Sequence, residues 1–294
     1  MWYNCKCKRK INSNLLKGVN LMSKVLEIEN LTKYYGKTKG VEKLYLSLNE
    51  GEIFGFIGPN GAGKSTTIRS IMKLINYDGK IERTDSIGYL PCEVSLYSNY
   101  KISELFEFHQ KIYKKDMNKK INYLCEQLSI NKEKKISELS TGNLKKVAIV
   151  LSLAHDPKLI IMDEATSGLD PIIQEKFYNI LKEEKEKGNT ILFSSHNLNE
   201  VKKIADRIGI IKDGNLIDIK NIDEMVNDEV HYITIYTDDE KLINKYMSLY
   251  DGKKIQLSYK EDINKLIQEL SKYKIKKLLI EEASLEDIFM LYYK

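Results

Sequence analysis

Eight consecutive residues, Gly58-Pro59-Asn60-Gly61-Ala62-Gly63-Lys64-Ser65, match the pattern G-x-x-x-x-G-K-[ST]. Their types suit one task, the holding of a chain of phosphates. Glycines let backbone N–H groups converge on phosphate oxygens, and a helix that starts behind them adds the positive end of its dipole. In such a loop Lys64 reaches the β- and γ-phosphates. The Ser65 hydroxyl, with Thr66 beside it on the same turn, coordinates Mg²⁺. A match of this kind arises by chance in roughly one chain in a hundred of this length. The plain alternative is an ordinary glycine-rich turn. Placement disfavours it, because the loop lies between a buried-strand run, Ile53–Ile57, and a helical run, Ser65–Leu74.

A metal-bound triphosphate needs a second anchor. Leu159-Ile160-Ile161-Met162 is an apolar run that ends in two carboxylates, Asp163 and Glu164. Asp163 is placed to hold Mg²⁺, and Glu164 to orient and deprotonate an attacking water. A positioned base of this kind contributes about 10²–10⁴ in rate. Taken alone, a hydrophobic strand followed by two acids is common and is more often a helix N-cap.

The elements that must position these groups follow an α/β pattern with a largely parallel sheet. Val25–Ile28 alternates like a strand, and Thr190–Phe193 reads as a third buried strand beside Ile53–Ile57 and Leu159–Met162. Tyr97–Leu128 reads as mostly helical, and Leu144–Ala154 as an apolar helix stopped by Asp156-Pro157. The charge run Lys182–Lys187 reads as the solvated end of a helix capped at Gly188. The pattern changes near Ile222–Glu229. Beyond it the chain reads strand Tyr232–Tyr236, helix Lys241–Met247, strand Lys254–Leu257, helix Ile263–Tyr273, strand Ile275–Ile280 and helix Ser284–Tyr292. The expected organisation is an N-terminal extension over 1–21, a nucleotide-binding domain over 22–225 and a small α/β domain over 226–294. No repeat duplicates the phosphate loop, so one chain contributes one nucleotide site.

Composition narrows the class. The chain of 294 residues is 42% hydrophobic and 30% charged, with only 4 prolines, which disfavours disorder and low complexity. Its 47 basic and 42 acidic side chains give a net charge of +5. All five excess cations, Lys6, Lys8, Arg9, Lys10 and Lys17, lie in residues 1–21, so the remainder is neutral and net charge gives no support to a nucleic-acid partner. Cys5, Cys7, Cys92 and Cys125 make no disulfide framework, and a lone C-x-C is a weak metal signal. Val147–Ala154 is too short to cross a bilayer, and residues 1–21 lack the apolar stretch of a signal peptide. The expected location is cytoplasmic. Lys17-Gly18-Val19 is codable as a purine-rich ribosome-binding sequence just upstream of Met22, so translation is expected to start at Met22.

Across residues 25 to about 220 the sequence resembles the ATP-binding cassette (ABC) ATPases. Leu139-Ser140-Thr141-Gly142-Asn143 is similar to the family's LSGGQ signature. Asp163-Glu164-Ala165-Thr166-Ser167-Gly168-Leu169-Asp170 resembles its extended Walker B and D-loop, and Ser194-Ser195-His196 its switch histidine. The resemblance implies a phosphate-loop NTPase fold with a helical subdomain, ATP and Mg²⁺ as cofactors, and two cassettes meeting head to tail. It further implies that Ser140 and Gly142 touch the γ-phosphate held by the partner, that Asp170 shapes the dimer seam, and that His196 senses the γ-phosphate. By itself a histidine there is more often a structural polar residue. Tyr35 matches the aromatic that stacks on adenine, the alternative being a surface tyrosine at a strand end.

Departures from the family pattern cluster near the site. Cys92, in Tyr89-Leu90-Pro91-Cys92-Glu93, stands where most members have Gln, and a thiol offers no amide oxygen to Mg²⁺ or water. Asn143, Lys145 and Lys146 replace the common Gln, Gln and Arg, Ala165 replaces Pro, and the segment from Leu74 to Ile87 is short. The bacitracin-export-like branch shows similar departures and an ending like Ser284-Leu285-Glu286-Asp287-Ile288-Phe289. The implied function is the ATPase subunit of a bacterial exporter, a homo- or heterodimer at the inner face of the membrane beneath a separately encoded permease. Tyr97–Leu128 and Cys92-Glu93 are the expected permease contact, and a drug, antimicrobial peptide or lantibiotic the expected cargo. The competing class is a soluble cassette ATPase acting on ribosomes or DNA. One cassette and no sustained coiled coil disfavour it, and intact Lys64, Asp163, Glu164 and His196 disfavour an inactive regulatory cassette.

Overall fold

The computed structural model describes residues 23–223, 231–259 and 261–282. The expectations for residues 1–21, for the join near 225 and 226 and for the helix Ser284–Tyr292 lie outside the described residues.

Six strands make the central sheet: β3 (Ile53–Ile57), β5 (Ile87–Leu90), β6 (Leu159–Asp163), β7 (Thr190–Ser195), β8 (Arg207–Lys212) and β9 (Asn215–Asn221). Their order is β5-β6-β7-β3-β8-β9, parallel except for β9, which runs antiparallel to β8. β3, β6 and β7 are buried along their whole length, which is why they read as unbroken apolar runs. Alternate side chains serve two cores. Phe54, Phe56, Leu159, Ile161 and Leu192 face one; Ile53, Ile57, Ile160, Met162, Ile191 and Phe193 face the other.

The first core is closed by a three-stranded antiparallel sheet, β2-β1-β4, of β1 (Lys24–Tyr35), β2 (Thr38–Asn49) and β4 (Asp78–Arg83), together with α1 (Lys64–Ile71). Only the start of β1 is visible in the sequence, for a physical reason. Leu26, Ile28 and Leu31 are buried, but the spacing slips from two to three at Asn30, where φ is 53° and the register shifts. Lys43, at φ 47°, interrupts β2 in the same way between Val41 and Leu44. Such bulges erase the period-two signal while keeping the apolar face inward.

On the other face lie α4 (Thr141–Leu153) and α5 (Pro171–Glu186), with α2 (Ile102–Tyr113) and α3 (Asn118–Gln127) packed beyond them in the same apolar cluster. The mostly helical stretch expected over Tyr97–Leu128 comprises α2 and α3, divided where Lys114 ends α2 in the left-handed region at φ 50°. α4 starts three residues earlier than the apolar run suggests, with Ser140 as its N-cap. Lys120 of α3 ties these helices to α5 through Glu184, which is 1% exposed and 3.1 Å away. α6 (Leu198–Lys202) follows β7 directly.

The chain then forms β10 (His231–Tyr236), α7 (Glu240–Lys245), β11 (Ile255–Tyr259), α8 (Ile263–Leu270) and β12 (Lys277–Glu282). The strands order β11-β10-β12, all antiparallel. Ile233, Ile235, Leu242, Ile255, Leu266 and Leu270 make a separate core for them.

Candidate functional site

β3, β7 and β6 are neighbours in the sheet, and each delivers its chemistry at its carboxyl end, where open parallel sheets bind ligands. β3 runs into the phosphate loop, β6 ends at Asp163, and β7 ends at Ser195 one residue before His196. Sequence positions more than a hundred residues apart therefore meet on adjacent strand ends.

The phosphate loop needs its last glycine. Gly63 is the N-cap of α1 at φ 112°, and a Cβ there would lie 2.7 Å from the carbonyl oxygen of Gly40. No side chain caps α1 and no acid lies in its first turn, so its amides and dipole face the loop uncompensated. Ala62 and Gly63 are buried, while Pro59, Asn60 and Gly61 form the exposed lip and Ser65 and Thr66 lie half-buried beneath it. Lys64 is 5% exposed. Its Nζ donates to the carbonyls of Gly58 at 2.7 Å and Pro59 at 3.2 Å, and lies 3.4 Å from Glu164 Oε1.

Glu164 is held on all sides. Its carboxylate Oε2 lies 3.0 Å from His196 Nδ1. Its backbone φ is 50°, a left-handed conformation that costs a non-glycine residue about 1 kcal/mol or more. Its N–H donates to the Ser194 carbonyl at 3.2 Å and approaches Ser194 Oγ at 3.3 Å, and its carbonyl accepts from Lys145 Nζ at 2.8 Å. Ser194 Oγ also donates to Asp163 Oδ1 at 2.6 Å. Beyond them, Glu200 Oε2 accepts from both Thr166 Oγ1 and Ser195 Oγ at 2.8 Å, which joins the segment after β6 to the segment after β7.

A cleft of about 410 Å³ opens over the loop, with Tyr35 and Lys39 on one side and Cys92 and Glu164 on the other. Tyr35 is 45% exposed at the end of β1. Burial, then Asp163 and Glu164, push the Cys92 thiol up, so it stays protonated near neutrality. A second hollow of about 440 Å³, among Lys24, Glu50, Arg83 and Lys158, includes no residue of the phosphate loop.

Ser65 and Asp163 supply hard oxygen donors suited to Mg²⁺, which takes one or two protein ligands and fills its shell from phosphates and water. Among the described residues no cluster of three or more His, Cys, Asp or Glu could hold a metal alone, so the donor set fits a metal that arrives with a phosphate chain.

Gly58, Ala62, Asp163 and His196 adjoin the cleft without lining it, His196 through its contact with Glu164, and Ser140, Gly142 and Asp170 do not line it either. Ser140 is exposed at the start of α4, its Oγ accepting from the Asn143 amide at 3.4 Å. Asp170 is exposed and caps α5, its Oδ1 accepting from the Ile173 amide at 3.0 Å. Gly142 packs on the segment after β6, where a Cβ would stand 2.4 Å from the Gly168 carbonyl oxygen. Sequence reasoning gave no role to Ser194, Glu200 or the Gly142–Gly168 contact. The polar pair Ser194-Ser195 within a buried strand is the one signal that marked the first.

Comparisons with known proteins point to one family. A family model for ABC transporters matches residues 41–167. An ABC transporter ATP-binding protein of Methanocaldococcus jannaschii (MJ1023) is 36% identical over 267 residues, covering 89% of this chain and 100% of that protein. The bacitracin transport ATP-binding protein BcrA of Bacillus licheniformis is 30% identical over 298 residues, covering 92% of this chain and 97% of that protein. The solved dimeric ABC transporter cassette MJ0796 is 25% identical with a TM-score of 0.61, covering 67% of this chain and 98% of that one. Phosphate loop, adjacent carboxylates and full-length relatives lead to one conclusion: this chain belongs to the ABC transporter ATP-binding proteins and is an ATP-hydrolysing cassette.

Proposed function

We propose that this cassette powers export through a separately encoded membrane permease, working as a homo- or heterodimer at the cytoplasmic face of the membrane. The observation that supports the catalytic half is Glu164 on the wall of the phosphate-loop cleft, directly after Asp163, with Oε1 3.4 Å from Lys64 Nζ and Oε2 3.0 Å from His196 Nδ1. The loop amides of Gly58 to Thr66 and the Lys64 ammonium bind the β- and γ-phosphates, and Tyr35 meets the adenine. Glu164 orients a water and takes its proton as the water oxygen attacks the γ-phosphorus. The bond from phosphorus to the ADP oxygen breaks, and ADP and phosphate leave. His196 holds the Glu164 carboxylate and reaches the γ-phosphate. A γ-phosphate drawn to Lys64 competes with Glu164 for the ammonium and releases the carboxylate for the water. Ser65 and Asp163 would hold Mg²⁺, which would supply positive charge against that developing on the phosphates. Ser140 and Gly142 serve the partner's nucleotide, and Asp170 lies along the seam.

Relatives support the transport half. Similarity to the bacitracin transport protein runs over 92% of this chain, so it includes part of the second unit as well as the cassette. A drug, antimicrobial peptide or lantibiotic is the cargo class we assign. Among the described residues no helix is long and apolar enough to cross a membrane, so the translocation path is assigned to another chain. The segment from Tyr97 to Leu128, with the exposed side chains of Tyr97 before α2 and of Phe108 and Ile112 on it, is assigned to permease contact together with Cys92-Glu93. Co-purification with a multi-span protein from the source cell, and stimulation of ATPase turnover when the two are reconstituted in vesicles, tests the reading. Turnover unaffected by any co-purifying membrane protein, but stimulated by ribosomes or DNA, would replace it with the soluble class.

A further inference from the structure

Two departures from the family pattern, Cys92 and Lys145, flank Glu164: Cys92 lines the cleft beside it, and Lys145 is buried against its backbone. Lys145 lies in the second turn of α4 and is 4% exposed. A buried ammonium needs compensation, and this one donates to the Glu164 carbonyl at 2.8 Å. The acceptor is no ordinary carbonyl. It belongs to the peptide that follows the left-handed Glu164, the backbone conformation that aims the carboxylate at Lys64 and His196. Ser194 grips the N–H side of the same residue. Lys145 grips the carbonyl side, and without it that side has no side-chain anchor among the hydrogen bonds of the described residues.

We propose that Lys145 is a positioning residue for hydrolysis: its buried ammonium locks the Glu164 peptide and so fixes the direction of the general base. The lock has a second consequence. Lys145 stands one helical turn behind Thr141, and the same helix start seats Gly142 on the Gly168 backbone. Contact of another cassette with the N-terminus of α4 therefore acts on the helix that holds Glu164. Water positioning, which an amide at position 92 would share, rests more heavily on this restraint in a chain that carries a thiol there.

This inference rests on Glu164 as the general base, so the experiment includes Glu164→Gln as a separate arm. Steady-state ATPase kinetics and melting temperatures are measured for wild type, Lys145→Met, Lys145→Gln and Glu164→Gln. Lys145→Met is expected to melt near wild type and keep KM for ATP within about 2-fold, while kcat falls about 10-fold or more. Lys145→Gln, which keeps a donor, is expected to recover kcat to within about 3-fold of wild type. Lys145→Met with wild-type kcat overturns the proposal, as does a Lys145→Met defect that Lys145→Gln shares in full. Turnover retained in Glu164→Gln overturns the general-base reading instead. Should Lys145→Met not fold, Lys145→Ala is assayed with added propylammonium. Restored kcat with propylammonium but not with propanol supports the lock, and equal effects of the two overturn it.

Discussion

The two helix starts that serve nucleotide chemistry are built in opposite ways. α1 begins at a left-handed glycine with no side-chain cap, and the lysine that follows folds back over the loop. α4 begins at an exposed serine whose hydroxyl caps its own helix. The first leaves its amides and dipole for an external anion and encloses them in a cleft of its own chain. The second contributes nothing to that cleft and presents Ser140 outward. On the proposed head-to-tail reading, one end of the site is complete in a single chain and the other serves a second chain, so hydrolysis needs both while nucleotide binding by one chain needs only the first.

Substitutions can break this division in order of size. Glu164→Gln is expected to lower turnover about 10²–10⁴-fold with ATP affinity retained, measured by steady-state rates beside equilibrium binding. Wild-type turnover in that variant removes Glu164 as base. Lys64→Ala acts on the complete end. Losing its charge-assisted contacts, worth about 1.5–3 kcal/mol, weakens ATP binding roughly 10- to 100-fold in a titration of the isolated chain.

Gly142→Ala acts on the end that serves a second chain. Its Cβ would meet the Gly168 carbonyl oxygen at 2.4 Å, so the helix start must shift. Overpacking of this kind costs about 1–3 kcal/mol in thermal or denaturant unfolding, while ATP binding to the single chain stays near wild type. Binding lost together with stability would show that the two ends are not separable. Cys92→Gln is the mildest change. Cys92 is exposed at the cleft wall, and surface substitutions usually stay within about 0.5 kcal/mol. We expect a melting temperature close to wild type and a raised basal turnover, with Cys92→Ala nearly silent. A Gln variant that melts well below wild type without a gain in rate makes Cys92 a packing residue.

The complete end was legible in the sequence because its constraints are local. Glycines, a lysine and a serine must be contiguous for a loop to wrap phosphate, and buried parallel strands must be apolar throughout, so Ile53–Ile57 and Leu159–Asp163 announce themselves. The second unit, β10 to β12, was legible for the same reason, since short strands and amphipathic helices alternate there. Three features were hidden. The rest of β1 and all of β2 lacked a clean alternation because bulges at Asn30 and Lys43 reset it. The start of α4 was obscured because Gly142 and Asn143 are poor helix formers, and the Ser140 cap and the contact with Gly168 outweigh them. The roles of Ser194 and Lys145 depend on pairing across strands and helices, which no spacing along the chain records.

The division between the two ends is tested most directly by mixing defective chains. Lys64→Ala spoils the loop, and Ser140→Arg spoils the signature, so each variant alone should turn over little ATP. In a two-fold dimer built from one of each, both defects fall in the same site and the other site is intact. An equal mixture is predicted to recover about a quarter of the wild-type rate, since half the dimers are mixed and each has one sound site. A mixture no more active than the sum of its parents, at concentrations where wild type forms dimers, would contradict a site shared between two chains.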